Sequence, residues 1–223
     1  MNKIFLLTLG ILVSLVSLMA SSNEANNAES LMIKSPNNTV GIEFILANGA
    51  PHYRVFTGED EIISPSKLGF RFKDQQPLLA DFTLVSSFEQ LVQKNWQKLW
   101  GQSKNVSNHY RELHVKLKET TAQNRELHLI FRAYNDGVAF RYALPEQANL
   151  GQFSITSEET EFAFNKDHSA WWIPANYDSY EANYQKSLLS EVTAINTPVT
   201  MKTTSGLYLS VHEAALTNYA GMT

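Results

Sequence analysis

Apolar and polar residues alternate with a period of two along most of this chain. That pattern permits little besides half-buried antiparallel strands. Over residues 112–118, Leu113, Val115 and Leu117 fall on one face and charged or polar residues on the other. Leu127, Leu129, Phe131 and Ala133 repeat the pattern, with His128, Ile130 and Arg132 opposite. Phe140, Tyr142 and Leu144 alternate with Arg141 and Ala143; Leu207, Leu209 and Val211 alternate with Tyr208 and Ser210.

Turn chemistry separates these runs. Asn48-Gly49, Asn135-Asp136-Gly137 and Ser205-Gly206 are residue types that tolerate positive φ and close hairpins. Residues 40–46 and 53–57 flank the first as a predicted hairpin. Further strands are expected at 62–63, 69–72, 82–85, 153–156, 162–164, 169–173 and 199–203, and 207–212 reads as a central strand. Residues 88–100 have some helical spacing through Leu91, Asn95 and Leu99, but Gly101 and the polar run after it favour a long loop. About a dozen short strands with no repeat and no linker predict an all-β fold, a large antiparallel β-sandwich. Its apolar run 207–216 comes close to Thr223, so the sandwich is expected to be truncated at its C-terminal end, or one module of a longer protein.

The first residues stand outside that pattern. Met1-Asn2-Lys3 is followed by an apolar run over 4–19 and by the small residues Ala20-Ser21-Ser22, the arrangement of a secretory signal peptide over 1–22. Residues 23–30 are polar and expected to be a disordered lead-in. The remaining segment, 31–223, suits one domain. Export implies a periplasmic or secreted protein, with no membrane association after cleavage. The chain has no Cys, so neither disulfides nor a lipid-modified cysteine can support it. Net charge is −4, and no basic cluster interleaves with aromatics, which argues against nucleic acid as a partner.

The segment richest in chemistry is 171–184, Trp171-Trp172-Ile173-Pro174-Ala175-Asn176-Tyr177-Asp178-Ser179-Tyr180-Glu181-Ala182-Asn183-Tyr184. Flat rings suit the C–H faces of sugars, and carboxylates suit hydroxyls or a hard cation such as calcium. The same residues also fit ordinary sandwich core and an ordinary turn. A second aromatic and amide cluster comprises Trp96, Trp100-Gly101 and Asn108-His109-Tyr110, suited either to sugar contact or to pinning a loop on the sandwich. His212-Glu213 lacks the second His of a zinc-protease helix, because position 216 is Leu216. No Gly-x-Ser-x-Gly elbow, Walker loop or Gly-x-Gly-x-x-Gly occurs. The acidic runs Glu59-Asp60-Glu61 and Glu158-Glu159 read as solvated turns. No spacing identifies the opposed carboxylate pair a glycosidase needs, so no catalytic residue is assigned.

Several ordered motifs together resemble the N-terminal domain of glycoside hydrolase family 97. They are Leu68-Gly69, Trp100-Gly101, Asn108-His109-Tyr110-Arg111-Glu112-Leu113, residues 134–142, Trp172-Ile173-Pro174, residues 177–184, Gly206-Leu207-Tyr208 and His212-Glu213-Ala214-Ala215-Leu216. The resemblance runs from about Leu31 to Met222. It implies an exported bacterial enzyme, chiefly an α-glucosidase or α-galactosidase. Such an enzyme comprises a galactose-mutarotase-like β-super-sandwich, a catalytic (β/α)8 barrel bearing the catalytic carboxylates, and a small C-terminal β-domain. This chain matches only the first part. The resemblance further implies that the sandwich packs on the barrel and supplies one calcium ligand, which falls on Glu181. α-Glucosidase-type members carry a longer insertion where this chain has only residues 192–200, which leaves α-galactosidase or another specificity open. The alternative is a free-standing carbohydrate-binding or structural sandwich module.

Overall fold

A computed structural model describes residues 28–223. The expected signal peptide and most of the lead-in lie outside the described residues. The last three lead-in positions do not conform to that expectation: Ala28, Glu29 and Ser30 pair with Ala47, Leu46 and Ile45. They join a strand because the neighbouring strand runs on to Ala47 and offers them a ladder.

Two four-stranded meanders face one another. The first comprises β1 (Ala28–Lys34), β2 (Val40–Ala47), β3 (Ala50–Thr57) and β4 (Asp60–Lys67) in sequential order. Asn48 and Gly49 adopt φ of 49° and 78°, the two positive values a two-residue hairpin of the favoured hand requires. A short ribbon pairs β5 (Phe70–Phe72) with β10 (Ile155–Glu158). The second meander comprises β6 (Phe82–Gln97), β7 (Asn105–Glu119), β8 (Glu126–Tyr134) and β9 (Gly137–Ala143), again in sequential order.

The alternation of the sequence decides which residues meet between these meanders. Leu113, Val115, Leu117, Leu127, Leu129, Phe131 and Ala133 are all buried, with Ile42, Phe44, Leu46 and Tyr53 in the same core. Phe44 and Phe131 approach to 6.0 Å between ring centroids, and Tyr53 and Phe140 to 4.9 Å. Burying such rings is the main favourable term in folding a chain without cross-links.

A third sheet has the order β12 (Gln185–Leu188), β11 (Ser169–Pro174), β13 (Ile195–Lys202), β14 (Tyr208–Val211). Ala170, Trp172, Val199 and Met201 form its own small core, and Phe164 packs against both cores. The architecture is thus the antiparallel, all-β sandwich expected from the alternation.

Three expectations change. Residues 88–97 are strand, not loop: β6 runs sixteen residues and pairs with β7 as far as Gln97↔Asn105. Residues 162–164 contribute only an isolated bridge, Ile63↔Phe164. The strand near Leu207 lies at the sheet edge among the described residues, and Leu207 itself is 40% exposed. Its backbone N–H donates to Thr203 Oγ1 at 3.0 Å, so Leu207 closes the turn while Leu209 and Val211 pack on the core.

Candidate functional site

The residues 171–184 do not act as one unit. Period two divides them at the outset. Trp172 turns inward, nearly buried, and its indole N–H donates to Ser187 Oγ at 3.0 Å. Trp171 turns outward, where its ring stacks on Tyr208 at 6.1 Å and Lys186 sits 5.0 Å from its centroid. For Trp172 and Ile173, the reading as ordinary sandwich core holds.

After Pro174 the chain leaves the sheet in a loop over residues 175–184. Its root is fixed: the buried Asn196 of β13 accepts from the Asn176 backbone N–H and donates to the Asn176 carbonyl, both at 3.4 Å. Two local turns then shape the tip. Asn176 Oδ1 accepts the Asp178 N–H at 2.9 Å, and Ser179 Oγ accepts the Glu181 N–H at 3.0 Å. Such side-chain turns stand in for a ladder where no strand neighbour exists.

These turns hold Tyr177, Tyr180, Glu181 and Tyr184 outward. Tyr177 is 101% exposed, and no described residue partners the Glu181 carboxylate. A free carboxylate is chemically suited to a hard cation. Among the described residues no group of three or more His, Asp or Glu could hold a metal. Calcium takes six to eight oxygens. Glu181 could therefore be at most one donor of such a set, and the described residues do not by themselves make a calcium site.

The second predicted cluster also divides. Tyr110 is buried against Tyr134 at 4.9 Å, with the Arg132 guanidinium over its ring at 4.6 Å. Trp96 and Trp100 stay exposed on the ribbon formed by the far ends of β6 and β7, so they pin no loop to the sandwich.

Spacing gave no sign of the polar cluster on the outer face of the second meander. Glu112 accepts from His114 Nε2 at 2.6 Å, Arg132 Nε at 2.6 Å and Gln90 Nε2 at 2.7 Å. Burial raises the Glu112 pKa, but these hydrogen bonds and the Arg132 charge outweigh it and hold the carboxyl at about 2. The four residues lie on three adjacent strands in register, Gln90↔Glu112↔Arg132. Only strand pairing brings them together. The pair Glu158-Glu159 is likewise more than a solvated turn, since Glu159 pairs with Arg71 at 2.8 Å and Glu158 accepts the Tyr219 hydroxyl at 2.7 Å, whereas Glu59 and Asp60 are exposed at the β3–β4 turn.

Comparison with known proteins follows this geometry. A family described as glycosyl-hydrolase 97 N-terminal matches the chain over residues 33–223. Among solved structures, the fold is similar to a glycoside hydrolase family 97 enzyme from Pseudoalteromonas sp. strain K8, observed in complex with panose and in complex with acarbose. That likeness has a TM-score of 0.82 and 34% identity, over 86% of this chain and 29% of that one. A β-arabinopyranosidase is similar in fold, with a TM-score of 0.74 and 20% identity over 83% of this chain and 32% of that one. The chain thus spans under a third of the length of the enzymes it resembles.

Proposed function

The chain belongs to glycoside hydrolase family 97 as an N-terminal domain, and from that membership we propose that it serves as the non-catalytic sandwich of an exported α-glycosidase. The observation that carries this reading is the family match over residues 33–223, which includes the loop bearing Glu181. In this reading the sandwich packs on a catalytic (β/α)8 barrel of the same polypeptide, which acts on a carbohydrate with an α-glucosidic or α-galactosidic bond. The family 97 relative that binds panose and acarbose supports carbohydrate as the ligand class.

Glu181 would offer one oxygen to a calcium ion beside the substrate. Its exposed, unpartnered carboxylate supports that role. Calcium there would neutralise nearby negative charge and fix hydroxyl or carboxylate oxygens. This chain's own contribution is positional: Asn196, Asn176 and Ser179 hold the loop so that Glu181 points away from the sandwich.

The deciding experiment compares two proteins. The isolated chain should hydrolyse neither nitrophenyl α-glucoside nor nitrophenyl α-galactoside. A polypeptide carrying this sandwich and its barrel should hydrolyse one of them, with calcium dependence weakened by Glu181→Gln. Turnover by the isolated chain, lost on mutating one of its carboxylates, would overturn the reading. High-affinity glycan binding by the isolated chain, with no barrel required, would instead favour the free-standing module.

A further inference from the structure

β6 is a long strand at the edge of its sheet. Among the described residues its only ladder partner is β7, although it runs from Phe82 to Gln97, and only its first residue, Phe82, donates its N–H elsewhere, to the Gly49 carbonyl at 2.9 Å. Beyond Tyr110↔Tyr134 the third strand stops, and β6 and β7 continue as a two-stranded ribbon. A free edge of this length is a template for another strand, and proteins commonly block one with Pro, charge or short length. Here β6 contains no Pro, and its only charged residues are Glu89 and Lys94. It exposes Phe88, Leu91 and Trp96, and the ribbon tip adds Leu99 and Trp100 at 101% and 86% exposure. A two-stranded ribbon is marginal in water without a covering surface.

The β6 sequence is self-complementary in one register. Two identical edge strands pair antiparallel about a two-fold axis perpendicular to the sheet. Such an axis leaves each sheet face on its own side, so residues that meet must share a face. The outer face of β6 carries Phe88, Gln90, Val92, Lys94 and Trp96, opposite His114, Glu112, Tyr110, Asn108 and Val106 of β7. With the axis at Val92, Val92 meets Val92 of the second copy and Phe88 meets Trp96 of the second copy, twice by symmetry. Gln90 meets Lys94 of the second copy, and Glu89 meets Asn95 of the second copy, so no like charges oppose. An axis at Leu91 would set Phe88 against Lys94, and one at Gln93 would set Phe88 against Lys98. Only the Val92 register pairs the two aromatic residues, the kind of cross-strand pair that stabilises a sheet.

We propose that β6 is a dimerisation edge, and that two copies of this chain join through antiparallel β6–β6 pairing centred on Val92. The result is one continuous sheet of eight strands, twice the four observed in one copy. The Phe88 ring, already stacked on His114 at 4.2 Å, is held ready for the incoming indole. The proposal does not depend on the glycosidase reading.

The test uses the absence of cysteine from the chain. Cα atoms of directly opposed residues in an antiparallel pair lie about 4.5–5.5 Å apart, within disulfide reach. Under a glutathione redox buffer, Val92→Cys should form a covalent dimer and Glu59→Cys, in the β3–β4 turn, should not. In sedimentation, the unmodified chain should be a dimer. Val92→Lys should weaken it by at least about 100-fold through like-charge opposition, with an unchanged far-UV circular dichroism spectrum. An equimolar mixture of Val92→Lys and Val92→Glu should recover the dimer. A monomeric unmodified chain at about 100 µM, a dimer indifferent to Val92→Lys, or cross-linking equal at both cysteine positions would overturn the proposal. So would protection from hydrogen exchange, in a monomer, of those β6 amides that point away from β7, which would show that another strand covers the edge.

Discussion

Arg125 and Glu119 form a buried fork at the end of the β7–β8 hairpin. Arg125 Nε and Nη2 donate to the two Glu119 carboxylate oxygens, each at 2.7 Å. Nη1 and a second Nη2 hydrogen reach the carbonyls of Gln76 and Pro77 at 2.8 and 3.1 Å, which ties a distant loop to the hairpin. Both side chains are almost wholly out of water. Removing one partner leaves the other as an uncompensated buried charge. Arg125→Ala should therefore cost about 3–5 kcal/mol, whereas Glu119→Leu with Arg125→Met should recover most of it. Urea unfolding of the three proteins checks this; a double variant as unstable as the single one would contradict it.

Phe131 tests the register of the core. It is fully buried, with its ring centroid 6.0 and 5.9 Å from those of Phe44 and Phe140. Truncation to Ala should cost about 3–5 kcal/mol, as lost transfer energy plus a cavity. A neutral result in a stable fold would contradict the inward placement of Phe131.

Glu112 should shape the acid limb of stability. Its folded pKa is depressed, from an ordinary 4.5 to about 2. A depressed carboxyl contributes stability that is complete above the unfolded value and lost as pH falls through the folded one. The loss from this residue thus lies between about pH 4.5 and 2. Glu112→Gln should be less stable than the parent at pH 7, and the difference should shrink over that window. Denaturation midpoints measured from pH 7 down to 2 would show it; a difference constant with pH would contradict the assignment.

Calcium binding should separate the piece from the whole. The loop carries only two carboxylates, Asp178 and Glu181, which are not part of any larger acidic group among the described residues and cannot by themselves supply six oxygens. Titration calorimetry on the isolated chain should show weak calcium binding or none. In a full-length protein, Glu181→Gln should lower activity and calcium dependence together while leaving the melting temperature of the sandwich unchanged. Tight binding by the isolated chain, or unaltered activity of the variant after chelation and calcium titration, would refute the role of Glu181.

The sequence by itself determined the class of fold. Leu113, Val115 and Leu117, and then Leu127, Leu129 and Phe131, alternate strictly, and the side-chain period of a strand leaves one face for them to share. Asn48-Gly49 announced its hairpin because both positions require positive φ. The ordered motifs, with Trp172-Ile173-Pro174 and Tyr177-Asp178 among them, marked the family. Glu181 was legible only through that resemblance, since nothing in its own neighbourhood sets it apart from any exposed glutamate.

Tertiary structure decided everything that depends on distant neighbours. Residues 88–97 alternate poorly and leave mostly polar side chains in water, so the strand there is imposed by the facing β7 ladder and not by its own pattern. Gln90, Glu112 and Arg132 are 20 or more residues apart, and only strand register makes them one cluster. The Arg125–Glu119 fork needs the carbonyls of Gln76 and Pro77, which lie nearly 50 positions away. Period two tells each residue which side of its own strand it occupies, but not which strand lies beside it. Pairing partners are set by closure of the whole sandwich, and so the polar clusters and the free edge of β6 became visible only in the folded chain.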